Sequence, residues 1–83
     1  MIEFDEYKVK LNNIRPKLDA LSDSLGIEAA KEEIERLHAQ IDSDGFWDNQ
    51  EVSQKVMKQS RQLESKVELY ERMRSQWDDL YTL

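Results

Sequence analysis

The chain has 83 residues, room for one domain whose single small core leaves a net stability of about 3–5 kcal/mol. Charged residues make up 36% and apolar ones 39%, with two glycines, one proline and no cysteine; this excludes a disulfide framework and a thiolate metal site and points to solvated helices. Twelve basic against eighteen acidic side chains give a net charge of −6, which argues against a domain built to wrap nucleic acid while leaving a local basic face open.

The N-terminal stretch MIEFDEYKVK lacks the charged-then-apolar order of a signal peptide, and no apolar run approaches ~18 residues. A soluble cytoplasmic protein of the all-α class is the expectation, with no membrane partner.

In chain order, Phe4, Tyr7, Leu11, Ile14, Leu18, Leu21 and Leu25 recur at spacings of three and four, the seam of a helix over residues 2–24. Pro16 falls inside it and removes one backbone donor. Because the seam keeps its phase across Pro16, a kinked helix is preferred to one that begins near Pro16 after a loose arm. Gly26 stands where a left-handed C-terminal cap wants glycine.

A second seam, Ile27, Ala30, Ile34, Leu37 and Ile41, predicts a helix over 27–41. The stretch DSDG, residues 42–45, supplies the turn that ends it. Phe46 and Trp47 then put two aromatics on a corner. Asp48 is suited to cap the next helix, with Glu51 three residues on completing a capping box, and Trp47 then faces Val52 as a hydrophobic staple. On this expectation the indole turns inward and locks the bend, while Phe46 closes the end of the bundle.

The third helix, expected over 49–81, carries Val52, Val56, Leu63, Val67, Tyr70, Met73, Trp77, Leu80 and Tyr81 on one side. The expected architecture is a three-helix up-down-up bundle with coiled-coil-like packing, the third helix longest. Neither shorter helix spans the long one, so its far end is expected to be under-covered. Self-association through Trp77, Leu80 and Tyr81 follows from that expectation.

No residue set carries an expectation of catalysis, and no cofactor or metal is implied. His38 is the only histidine and is expected to be a partly exposed helical residue without ligand partners. Glu32 with Glu33, and Asp78 with Asp79, diverge by ~100° on a helix and form no paired-carboxylate site. One face has a candidate binding role: Lys55, Lys58, Arg61 and Lys66 project away from the seam and are placed to meet phosphates. Ordinary pairing with Glu51, Glu64 and Glu68 is the competing expectation.

The stretch SLGIEAAKEEIERLHAQIDSDGFWDNQEVSQKVMKQSRQLESKVELYERM, residues 24–73, resembles the amino-terminal helical domain of the bacterial peptide chain release factor 2 family. The corner Phe46, Trp47, Asp48 and Asn49 carries most of the resemblance. The turn from Leu25 to Glu28 departs from it, with Gly26 where the family often has Asp.

That resemblance implies translation termination at UGA and UAA codons. It also implies ribosome partners, RNA and protein at the stalk base of the large subunit, together with the rest of the release factor chain. The family reads the codon with a Ser-Pro-Phe tripeptide and promotes peptidyl-tRNA hydrolysis with Gly-Gly-Gln. Neither occurs here: no two glycines are adjacent, and Pro16 is flanked by Arg15 and Lys17. The chain is therefore expected to be one domain of a longer protein, contributing positioning rather than chemistry. A free-standing helical adaptor that binds a partner helix is the competing expectation.

Overall fold

The computed structural model describes residues 2–83, and these are helical with no strand. Helix α1 spans Ile2–Leu25, α2 spans Ile27–Ile41 and α3 spans Gln50–Tyr81, with a single 3-10 turn at Phe46–Asp48 before α3. The all-α class is as expected, and the third helix is the longest, at 32 residues.

A single residue separates α1 from α2. Gly26 has φ 65°, in the left-handed region that side chains resist. Its amide donates to the Asp23 carbonyl at 3.1 Å, closing α1, and its own carbonyl accepts from Ala30 at 2.8 Å, opening α2. A Cβ at this position meets nothing within 4 Å. Gly26→Ala is therefore expected to cost about 1–2 kcal/mol of unfolding free energy, from backbone strain alone. Urea unfolding of the two proteins measures it.

Helix α1 runs unbroken through Pro16, so the arm-then-helix alternative does not hold. The carbonyl that Pro16 leaves without a helical donor belongs to Asn12, an exposed residue where water can satisfy it.

The path of the chain corrects the up-down-up expectation. Tyr7 bonds to the Leu80 carbonyl, Leu11 to Trp77, Asp19 to Arg74, Lys31 to Glu71, His38 to Glu64, and Phe46 to Ser53. As residue number rises through α1 and α2, the partner's number in α3 falls. Both short helices thus run antiparallel to α3, following one another in the same direction. The molecule is a long two-layer hairpin, 63 × 21 × 15 Å. Apolar periodicity told which stripe of each helix is buried; whether the chain doubles back at Gly26 depends on the single left-handed residue there.

This path also overturns the bare far end. Laid end to end, α1 with 24 residues and α2 with 15 more than match α3. The Trp77 side of α3 is consequently covered by α1. Trp77 is 7% exposed and packs with Leu11 and Leu18, supported by Tyr7, Met73 and Tyr81. Its indole N–H donates to the Leu11 carbonyl at 2.7 Å, and its ring stacks on Tyr81 at 4.9 Å. The Lys8 ammonium sits 4.1 Å from the Tyr81 ring centre and donates to the Tyr81 carbonyl. Of the three residues expected to drive self-association, only Leu80 is exposed.

The opposite end has its own core of Leu37, Phe46 and Val56, flanked by Ile41, Met57 and Leu63. Between the two ends Ile27 is fully buried, with Ala30 and Tyr70 close to it in burial. Four seam positions prove to be exposed: Phe4, Ile14, Val52 and Leu80. On α3 their place is partly taken by Ser53 and Ser60, both buried. Small polar residues on the contact stripe let α2 and the corner approach closely, and hydropathy periodicity does not register them.

Candidate functional site

The corner between α2 and α3 is built differently from the sequence expectation. Asn49 is the N-cap of α3, its side chain accepting from the Val52 amide at 3.2 Å. Asp48 belongs to the 3-10 turn, so the capping box of Asp48 with Glu51 is not formed. Moving the cap by one residue rotates the corner by roughly 100°. Phe46 turns into the core, 7% exposed, and Trp47 turns out, 63% exposed. The staple of Trp47 with Val52 is thus replaced by a polar latch. The buried Ser53 hydroxyl points between the Phe46 carbonyl at 2.5 Å and the Asn49 carbonyl at 2.8 Å.

Trp47 nonetheless has a defined position. Its ring and that of Phe46 meet edge to face, with centroids 4.8 Å apart and planes at 88°, so an exposed indole is carried by an aromatic fixed in the core. Asp42, Asp44, Asp48 and Glu51 surround it in sequence, and all four are exposed. No lysine or arginine occurs between Arg36 and Lys55.

The basic stripe lies on the outer side of α3. Lys55, Lys58 and Arg61 are exposed and Lys66 is half-buried. Among the described residues, none of the four has a carboxylate within ion-pair distance. Glu64, a candidate partner, is engaged elsewhere: its Oε1 lies 2.6 Å from His38 Nε2 and accepts from Ser60 at 3.3 Å. His38 thus has a partner that sequence spacing did not reveal, because it comes from another helix. Arg72 is also exposed, three turns beyond Arg61 on the same side of α3. Sequence reasoning missed it; the signal was the eleven-residue spacing.

A polar groove of about 450 Å³ opens where α1 gives way to α2, lined by Asp19, Asp23, Lys31, Tyr70, Glu71 and Arg74 among others. Its two cations are paired across the helices, Arg74 with Asp19 at 2.9 Å and Lys31 with Glu71 at 2.8 Å. Hydrogen bonds to Asp19 and Tyr70 hold the Arg74 guanidinium above its ordinary pKa, and the bond to Glu71 does the same for the Lys31 ammonium. On α2, Glu33 is hydrogen-bonded by Arg36, which lowers its pKa from the ordinary carboxylate value. These are fasteners of one helix to another or to itself. Among the described residues no cluster of His, Cys, Asp or Glu is arranged to hold a metal, and no helix is long and apolar enough to cross a membrane.

Fold and surface together define a coiled-coil-like helical hairpin with its distinctive groups on outer surfaces, at the tip and along the back of α3. Within that class the sequence is similar to peptide chain release factor 2. It is 32% identical to the factor from Staphylococcus saprophyticus over 81 residues, which is 98% of this chain and 22% of the relative. It is 29% identical to that from Lactiplantibacillus plantarum over 79 residues, 95% of this chain and 21% of the relative. For Petrotoga mobilis the identity is 25% over 80 residues, 96% of this chain and 22% of the relative. The chain spans about a fifth of the length of these curated relatives. No family model matches it, and no solved structure does. The resemblance noted from residues 24–73 therefore extends over nearly the whole chain, even though the corner indole faces outward.

Proposed function

We propose that the chain acts in translation termination as the amino-terminal helical domain of a cytoplasmic release factor that works at UGA and UAA codons. In this role it binds the ribosome and positions the factor at the stalk base of the large subunit. Codon reading and peptidyl-tRNA hydrolysis belong to segments carrying the Ser-Pro-Phe and Gly-Gly-Gln motifs.

Similarity to release factor 2 along nearly the whole chain supports the assignment. The observation that carries ribosome contact is the row Lys55, Lys58 and Arg61, exposed and without carboxylate partners among the described residues. From Val52 to Val67 the helix holds four cations against one carboxylate, Glu64, and that carboxylate is bound to His38. A net negative protein that keeps such a stripe open has a surface suited to RNA phosphates. The same stripe disfavours a coiled-coil adaptor, which needs an apolar seam here; Leu69 alone among the large apolar residues between Ser53 and Asp79 is exposed.

Pelleting with ribosomes tests the stripe. Changing Lys55, Lys58 and Arg61 together to Glu is expected to weaken binding by at least about tenfold. It should also reduce the slope of log affinity against log salt by about 2–3, at roughly 0.7–0.9 per lost phosphate contact. Unchanged binding and slope would remove the stripe from the ribosome interface.

A further inference from the structure

We propose that the tip of the hairpin is a second docking surface, separate from the basic stripe, and that its occupant is an arginine-bearing protein segment stacking on Trp47 amid the tip carboxylates. The proposal does not depend on ribosome binding by α3.

Three features of the tip lead to it. An indole 63% exposed leaves a large apolar face in water, and aromatic side chains of this kind are enriched where proteins meet partners. Its contact with the core-fixed Phe46 holds it ready, so that binding orders little. Among the described residues only the Phe46 edge-to-face contact engages it, since the cap, the latch and the core are completed by Asn49, Ser53 and Phe46.

Charge selects the occupant. Residues 37–54 contain Asp42, Asp44, Asp48 and Glu51 and no lysine or arginine, and the one histidine among them, His38, is taken by Glu64. None of the four carboxylates has a cationic partner among the described residues. Phosphates would be repelled, which disfavours RNA at this end. A guanidinium satisfies both features at once, because it stacks on an indole and forms paired hydrogen bonds with carboxylates. Lysine offers only the point charge, so arginine is the better fit.

The test is fluorescence anisotropy of a dye-labelled octapeptide of alternating arginine and glycine titrated with the 83-residue chain. A lysine–glycine octapeptide and labelled octauridylate are run in parallel. Arginine peptide is expected to bind most tightly. Trp47→Ala is expected to weaken it five- to tenfold, and joint replacement of Asp42, Asp44 and Asp48 by Asn with Glu51→Gln more than tenfold. Neutralisation of the four α2 carboxylates Glu28, Glu32, Glu33 and Glu35, an equal change of charge, should alter it less than twofold. Circular dichroism of Trp47→Ala, whose side chain lies outside the core, should show full helix content. Arginine-peptide affinity indifferent to Trp47→Ala, or lowered equally by the α2 changes, overturns the proposal. So does octauridylate binding that Trp47→Ala abolishes, which would assign the tip to RNA.

Discussion

Phe46→Ala is expected to lower the unfolding free energy by about 3–4 kcal/mol, nearly all that a domain of this size possesses, whereas Trp47→Ala changes it by less than about 1 kcal/mol. The two residues are neighbours and both are large aromatics, so hydropathy alone assigns them equal cost. Burial separates them. Phe46 fills the near core with Leu37 and Val56, and its removal leaves a cavity in a layer only two helices deep. Losing it also slackens the seat of Trp47 and the turn that the Ser53 hydroxyl latches. Trp47 gives up mainly an edge contact. Urea unfolding followed by helix signal measures both, and equal destabilisation would place the indole inside after all.

Trp77→Ala carries the other large effect, about 3–5 kcal/mol. It removes the ring between Leu11 and Leu18, the stack with Tyr81, and the bond to the Leu11 carbonyl. Trp77→Phe keeps most of the burial and forfeits the bond, for about 1–2 kcal/mol. The losses are local to one end: α1 is fastened to α3 chiefly through this cluster and the Arg74–Asp19 pair, while α2 has Leu37, Val56 and Phe46 of its own. Hydrogen exchange in Trp77→Ala is therefore expected to show α1 amides losing protection before those of α2. Simultaneous loss along the whole chain would mean the two cores form one cooperative unit.

Much of this architecture could be read from residue spacing. The seams beginning at Phe4 and at Ile27 mark two helices, and Gly26 marks their boundary, because only glycine takes the left-handed backbone there without strain. Three things lay beyond spacing. The first is direction: a seam names a buried stripe but not the helix that covers it, so spacing alone leaves Trp77 bare although α1 lies on it. The second is the corner, where Asp48 and Asn49 are both good caps and a shift of one residue exchanges the fates of Phe46 and Trp47. The third is the polar interior, since Ser53 and Ser60 are buried for their small size and local hydrogen bonds. The placement of Lys55, Lys58 and Arg61 on the side away from the seam follows from spacing, and all three are exposed. Among the described residues they lack carboxylate partners, with Glu64 facing His38 from the neighbouring helix, a contact that spacing along one helix does not register.

Helices α1 and α2 follow one another along α3 instead of folding back at Gly26. Spin labels on the exposed residues Glu6 and Ser43, read by pulsed dipolar spectroscopy, address this path directly. These sites lie beside opposite ends of α3, near Leu80 and Ser53, some 27 residues or roughly 40 Å apart along that helix. A distribution centred at about 40–50 Å is predicted. One centred at roughly 10–20 Å, as adjacent antiparallel helices would give, would contradict the extended hairpin.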